Sequence, residues 1–318
     1  MNKINNTFIR SVIANMVAGP TGAVGYAEAR WGTNAGATQV VKALANPMLA
    51  GPDATGALAA GTLSRQQFVQ AVFSRSILGQ LTGLVRVPAI CRVNAETSPI
   101  AAKFVGEYRP LPAYQGAFST KLVDKRKVGL TAVMPRELFL MTDDAAEGVI
   151  SAQLQRALSR GLDNYFVGGQ GRDDSNPAGL ASISKQVSNF ADGIQAFTGD
   201  LTTASVLVNP RTAIALRSST ETRITANGGE YGGLPAIASY GVPLDKLFIV
   251  DASRVLAYIG DVAIESAGAA RLNVDDGAGA TSQVYVDLFS TDQVAVKAQQ
   301  YADWDFVDDA AIMVQFPF

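Results

Sequence analysis

The sequence predicts an α+β fold, and three observations carry that reading. One strongly amphipathic helix occupies the middle of the chain, opening at Asp143 or Asp144 and running to Phe166. A long stretch with period-2 alternation, Ala117–Val133, precedes it. After it, short apolar runs alternate with turn residues, with no regular strand-helix-strand repeat and no internal repeat.

Composition narrows the function classes. The 318 residues are 48% hydrophobic, which permits a sizeable core and excludes wholesale disorder. Charged residues make up only 17%, below the roughly one quarter usual for soluble domains. A surface so poor in charge, in a chain with thirty glycines and many alanines, points to surfaces covered by partner chains. The net charge of −2 argues against a dedicated nucleic-acid binder. No apolar run approaches the ~20 residues that span a bilayer, and the first residues lack the apolar stretch of a secretory signal. The single Cys91 rules out an intramolecular disulfide. Together these features lead us to expect assembly in a cytoplasm, without a membrane.

The chain contains no histidine. That removes Ser-His-Asp and Cys-His catalysis, His-based zinc sites and the commonest general base. The expectation is a protein that is not an enzyme, with no catalytic, cofactor-binding or metal-ligating residue.

The elements follow in chain order. Residues 1–62 are rich in Gly and Ala, with Pro20, Pro47 and Pro52 as breakers, and read as an arm without a compact core, held by neighbouring subunits. Ser64–Gln80 reads as an amphipathic helix through Phe68, Val72, Phe73 and Ile77. A hairpin follows: strand Ala101–Tyr108, turn Arg109–Gly116, return strand Ala117–Val133. In the return strand Phe118, Leu122, Val128 and Leu130 share one face, and Ser119, Lys121, Lys125 and Lys127 the other, with Asp124 and Arg126 interrupting the apolar side. Fully extended it would reach roughly 50 Å, and a two-stranded ribbon that long needs another surface to lie on.

The long helix begins with capping-box spacing, Asp144 to Glu147. Its apolar stripe is Ile150, Leu154, Ala157, Leu158, Leu162, Tyr165 and Phe166. Gly148 and Gly161 inside it allow close packing or a bend, and Gly168 and Gly169 close it. Ser205–Val208 reads as a buried strand, and Asn209-Pro210 as the cap and first turn of a helix Arg211–Ser218. Leu247–Val250, Val255–Ile259, Gln283–Leu288, Gln293–Ala298 and Ala311–Phe316 read as strands, and Asp275-Asp276-Gly277 as a turn.

Five groups of residues invite a chemical reading. Gly168-Gly169-Gln170-Gly171 suggests a phosphate cradle, but it ends a helix and lacks the Lys-Ser/Thr of a P-loop, so a C-cap is favoured. Asp303, Asp305, Asp308 and Asp309 could bind a cation, against which stands the solubilising role of charges at strand ends. Asp143, Asp144 and Glu147 are accounted for by a helix N-terminus rather than acid catalysis. Cys91 reads as a small buried apolar residue. The basic run Lys121, Lys125, Arg126 and Lys127 could touch nucleic acid, but contact between subunits is favoured.

The order of these parts resembles the tailed-bacteriophage major capsid family, the Hong Kong 97-type fold. Residues 101–169 look like its extended loop followed by its spine helix, with Glu107 ending the outgoing strand after an apolar pair. Pro135-Arg136-Glu137-Leu138 precedes the acidic helix start, and Asn176-Pro177-Ala178-Gly179-Leu180 resembles the family's loop after the helix. Val206-Leu207-Val208-Asn209-Pro210-Arg211 resembles the start of its axial domain. Gly233-Leu234-Pro235 and Leu247-Phe248-Ile249-Val250-Asp251 resemble the next element, and the likeness covers about residues 95–318.

The resemblance implies an N-terminal arm (1–98), an extended loop (99–134), a peripheral domain (135–200 and 280–302) and an axial domain (201–279 and 303–318). It implies a structural head protein forming pentamers and hexamers of an icosahedral shell around double-stranded DNA, which it would meet non-specifically. Scaffolding, portal and decoration proteins would be its partners, the virion capsid its location, and a host cytoplasm its place of assembly. Many relatives carry a long scaffolding segment at the N-terminus. The shorter stretch here implies scaffolding supplied by another protein or dispensed with.

Some members also join a lysine of the loop to an asparagine of a neighbour, assisted by a buried carboxylate. Lys121 and Lys125 would be the donors, but Gln283–Leu288 holds no asparagine, Gln283 is a longer substitute and Asp287 a poor electrophile. A non-covalent shell is the expectation. Two rival readings remain: an encapsulin-type compartment of the same fold, and a carboxylate-dependent hydrolase resting on the Asp303–Asp309 cluster.

Overall fold

A computed structural model of the chain describes residues 5–45, 66, 68–96, 104–107, 109, 113, 118–135, 137, 144–219, 221–267, 270–274 and 284–316. The chain divides into two compact units. One comprises Met1–Arg75, Val128–Ser159 and Asp261–Gln300, the other Ser76–Lys127, Arg160–Gly260 and Tyr301–Phe318. These boundaries differ from the four-part division into arm, loop, peripheral and axial parts.

In the first unit, helices α1 (Asn5–Trp31) and α2 (Gly36–Ala45) pack on one another. This corrects the expectation of an arm without a core. Their shared core is Ala14, Ala23, Ala27 and Val41, flanked by Val24, Tyr26 and Trp31. Alanine is the best helix former, and its small side chain lets two backbones approach. Thr38 Oγ1 donates to the carbonyls of Ala27 and Gly32, and Lys42 pairs with Glu28 at 2.6 Å. α1 bends at Gly19: Pro20 disfavours a helical residue before it, and glycine readily takes the positive φ of 69° found there. Residues 46–62, with Pro47 and Pro52, lie outside the described residues.

The helix expected over Ser64–Gln80 is two pieces, 68–73 and Ile77–Gln80, broken across 74–76. Phe68, Val72 and Ile77 are buried as their spacing implied. The break has a cause: the Ile77 N–H donates to Asp163 Oδ1 at 2.8 Å instead of to a carbonyl of the preceding turn.

Fourteen strands are described: β1 (Val85–Arg86), β2 (Cys91–Glu96), β3 (Phe118–Val123), β4 (Lys127–Pro135), β5 (Lys185–Val187), β6 (Ala204–Val208), β7 (Gly229–Tyr231), β8 (Leu234–Ala238), β9 (Lys246–Asp251), β10 (Val255–Ala267), β11 (Arg271–Val274), β12 (Val284–Asp287), β13 (Gln293–Phe306) and β14 (Ala311–Gln315). The second unit is built on a mixed six-stranded sheet, β5-β14-β9-β6-β8-β7. All five residues of β6 are buried, and Val206 and Val208 pack with Leu247, Ile249, Ile312 and Val314. Asn209 caps the following helix by accepting from Arg211 N–H at 3.0 Å, with Pro210 at its first position. That helix, Pro210–Ala215, is shorter than expected. A four-stranded sheet has the order β1-β10-β13-β4, and β11 pairs antiparallel with β12. The Asp275–Gly277 turn and Gln283 lie outside the described residues.

The hairpin differs from expectation in both arms. Its outgoing strand is β2, which pairs antiparallel with β3 from Cys91–Val123 to Glu96–Phe118. Residues 104–107 form no strand. The return is two strands, β3 and β4, separated at 124–126. The covered side changes across that break. In β3 it holds Ser119, Lys121 and Val123, leaving Phe118 and Leu122 exposed, whereas in β4 the half-buried residues include Val128 and Leu130. Gly129 is where β4 meets β13 closely, since a side chain there would contact the Ala298 carbonyl.

The long helix, α3 (Asp144–Val167), is present as expected, with Leu154, Leu158, Leu162 and Phe166 buried. Ala157 and Tyr165 are exposed, and the described face instead includes the buried polar residues Ser151, Gln155, Ser159 and Asp163. Phe166 meets Trp304 edge-on at 5.5 Å and Phe306 at 5.6 Å. Phe166→Ala is therefore expected to lower unfolding stability by about 3–5 kcal/mol in urea titration, while the exposed Tyr165→Ala changes it by less than about 1 kcal/mol. Equal effects would show that this packing is not the core of the second unit.

Candidate functional site

Strand alternation sorts β13 into two faces near its end. Trp304 and Phe306 point into the aromatic core, and Asp303 and Asp305 point to the opposite side, where the base of the hairpin lies. Asp303 is fully buried. Its Oδ2 accepts three hydrogen bonds: from Asp124 N–H at 2.6 Å, Arg126 Nη1 at 2.6 Å and Arg172 Nη2 at 2.8 Å.

Each arginine also ties down backbone. Arg126 Nη2 donates to the Asp173 carbonyl at 2.7 Å, and the Arg126 carbonyl accepts from Ala302 N–H at 3.0 Å. Arg172 donates to the carbonyls of Trp304, at 2.8 Å, and Leu122. Asp305 accepts from Leu122 N–H at 3.3 Å, and Lys121 pairs with Asp308 at 2.8 Å. The Asp173 turn that supports Arg126 is itself fixed. The Asn176 side chain and the N–H groups of Asn176 and Ser175 donate to Asp173 and hold its carboxyl below the usual range.

The three-residue break between β3 and β4 is thus an anchor. Arg126, which interrupts the apolar alternation in sequence, reaches Asp303 with its side chain, and Asp124 reaches it with its backbone N–H while its carboxylate accepts from Lys125 N–H. The acidic cluster is corrected accordingly: Asp303 sits inside a strand, not at its end, and Asp303, Asp305 and Asp308 are engaged by Arg126, Arg172 and Lys121. Among the described residues, no group of His, Cys, Asp and Glu could hold a metal ion. The basic run is engaged inside the chain too, since Lys125 and Lys127 lie over the Tyr301 ring at 4.3 and 5.8 Å.

Sequence reasoning did not single out Arg172. Its one signal is that it is the sole cation in the glycine-rich turn after α3. That turn is a helix end, as expected: Gly168 O accepts from Ala181 N–H, and Gln170 donates to the Tyr165 carbonyl. Gly179 packs so closely on Gly168 that no side chain fits there. Cys91 is half-exposed on β2, not buried. Asp143 and the side chains of Asp144 and Glu147 lie outside the described residues.

Beyond the anchor, the hairpin shows apolar side chains to solvent: Phe118 is 66% exposed, Leu122 40%, and Phe104, past β2, fully exposed. No helix among the described residues is long and apolar enough to cross a membrane.

No family model matches the chain. It is 26% identical over 281 residues to a capsid polyprotein of Pseudomonas phage PAJU2, an alignment covering 74% of this chain and 41% of that protein, so the chain spans less than half the length of this relative. Among solved structures, one of Gordonia phage Cozz matches with a TM-score of 0.56 at 16% identity, covering 77% of this chain and 87% of that one. One of Mycobacterium phage Ogopogo gives 0.53 at 17% identity, covering 76% and 92%. The capsid of a native GTA particle, computed with C5 symmetry, gives 0.51 at 14% identity, covering 78% and 91%. The chain has the α+β fold of these phage and capsid structures.

Removing a carboxylate that neutralises two partly buried guanidinium groups leaves both uncompensated. Asp303→Ala is expected to lower unfolding stability by about 3–5 kcal/mol, and Asp305→Ala, which breaks a longer contact, by less than about 1 kcal/mol. Chemical denaturation of both variants checks this, and a loss as small at Asp303 as at Asp305 would count against the anchor.

Proposed function

We propose that the chain is a structural major capsid protein that self-assembles into pentamers and hexamers of an icosahedral shell enclosing double-stranded DNA. One observation carries this reading: on a chain with a phage-capsid fold, a hairpin fixed at its base by buried ionic bonds turns Phe118 and Leu122 to solvent. Such a face needs a cover, and a second copy supplies it. In this reading the segment before β1 reaches across one neighbour, and the hairpin beyond its anchored base lies on another. Residues 135–200 with 280–302 form the peripheral domain, and 201–279 with 303–318 the axial domain around the ring.

Assembly needs no catalysis. Repeated modest contacts around closed rings make escape of any one subunit improbable. A net charge of −2 keeps the wall from gripping phosphates, so the packaged DNA is met non-specifically. Scaffolding, portal and decoration proteins are its expected partners, a host cytoplasm the place of assembly and the virion its final location.

The shell is held without covalent bonds in this reading. Lys121 is paired with Asp308, and Lys125 lies over the Tyr301 ring, so both side chains are engaged within their own chain rather than extended toward a neighbour. Particles boiled in detergent with reductant are expected to give one band at monomer size, and a ladder of higher species would overturn this.

Loop removal tests the function itself. Glu96 and Phe118 face each other across β2 and β3, so residues 97–117 can be replaced by Asn-Gly, a two-residue hairpin turn that leaves the anchor intact. Electron microscopy is expected to show closed shells for the full chain, and only folded small species for the variant. Full-sized shells from the variant would refute the role of the loop. A full chain that runs only as a small oligomer, or particles filled with a cargo enzyme instead of DNA, would refute the capsid reading.

A further inference from the structure

Asp163 is a second buried carboxylate, on α3, and the loop anchor does not use it. It is 4% exposed. It joins three segments of one unit: Oδ1 accepts from Ile77 N–H at 2.8 Å, and Oδ2 accepts from the Ser239 hydroxyl at 2.6 Å. Ser239 Oγ in turn accepts from Gly241 N–H at 3.2 Å. Gly241 lies so close that a side chain there would meet Asp163 Cβ, so the loop packs directly on α3 at this point.

Among the described residues no cation matches this charge. The charged and titratable groups on the elements around it are Arg160 on α3, set over the Tyr240 ring at 5.9 Å, Tyr240 itself on the loop, and the exposed Arg75 just before the turn at Ile77. Among the described residues none of them pairs with Asp163. Burial without a cation favours the neutral form of this carboxyl, and the two hydrogen bonds it accepts oppose that only in part.

We propose that Asp163 is a proton-operated latch, whose neutral form holds the Ile77 turn and the 239–241 loop on α3 more firmly than its carboxylate does. Acid tightens this junction and neutral pH loosens it. The loop carries Tyr240, 67% exposed, so the latch also sets how that ring is presented. Geometry and titration agree. Burial pushes the Asp163 carboxyl up from 3.8 to about 6, against the opposing pull of the bonds from Ser239 and Ile77. A group whose value is raised in the closed state stabilises that state fully below its open-state value. The stabilisation is lost as pH rises through the closed-state value.

Hydrogen exchange of the full chain tests this. The amides of Ile77 and Gly241 are read against the sheet amides of Val206 and Ile249, with intrinsic rates removed. Their relative protection is expected to fall by about tenfold between pH 5 and pH 7.5. Asp163→Asn, which keeps an acceptor but cannot ionise, is expected to abolish the pH dependence. Ser239→Ala, which removes a bond that favours the charged form, is expected to move the transition to higher pH. A flat profile in the unmodified chain, the same slope in Asp163→Asn, or a transition moved to lower pH in Ser239→Ala would each overturn the latch.

Discussion

A carboxylate taken out of water must be matched by donors or cations, because unmatched burial of an ion is among the most unfavourable events in folding. Asp303 is matched by one N–H and two guanidinium groups, and those donors come from the hairpin base and from the turn after α3. The three bonds to Oδ2 of this one side chain therefore fix where β3 ends, where β4 begins and where the α3 turn sits. The hairpin leaves the subunit from a fixed base with a defined face outward. The capsid reading depends on that constraint, since a loop free at its root would present no particular surface to a neighbour.

Three buried carboxylates show three ways of meeting the same requirement. Asp303 is met by cations. Asp251 is met mainly by dipoles: burial opposes its charge, but bonds from Ser253, the Asp200 N–H and Thr203 outweigh it and hold its carboxyl below the usual range, with Arg254 at 3.5 Å. Asp163 has two hydrogen bonds and, among the described residues, no cation, and burial pushes its carboxyl upward.

Much of the fold was legible in the sequence because its signals are local. The α3 stripe, the Asn209-Pro210 cap and the apolar run of β6 all follow from spacing within one element. Pairing across a long separation was not legible. Nothing local told that Phe118 opposes Glu96, or that Asp124 and Arg126 would find Asp303 almost 180 residues away. The period-2 pattern of β3 was visible, but which of its faces is covered depends on that anchor. The helices α1 and α2 were hidden for another reason: alanine and glycine score weakly as core formers, yet Ala14, Ala23 and Ala27 pack because they are small. For the candidate site, the acidic cluster and the basic run were each visible, whereas their mutual neutralisation was not.

The hairpin base belongs to the folded interior of the subunit. This is tested most directly by the exchange rates of two backbone amides, Leu122 and Asp124, whose N–H groups donate to Asp305 and Asp303. In the unassembled subunit at neutral pH, Asp124 is expected to be protected nearly as strongly as the β6 amides, with Leu122 following it. Residues 104–107 should exchange freely in the same sample. If Asp124 exchanges as fast as residues 104–107, the hairpin base is not anchored, and the account of how the loop is presented fails with it.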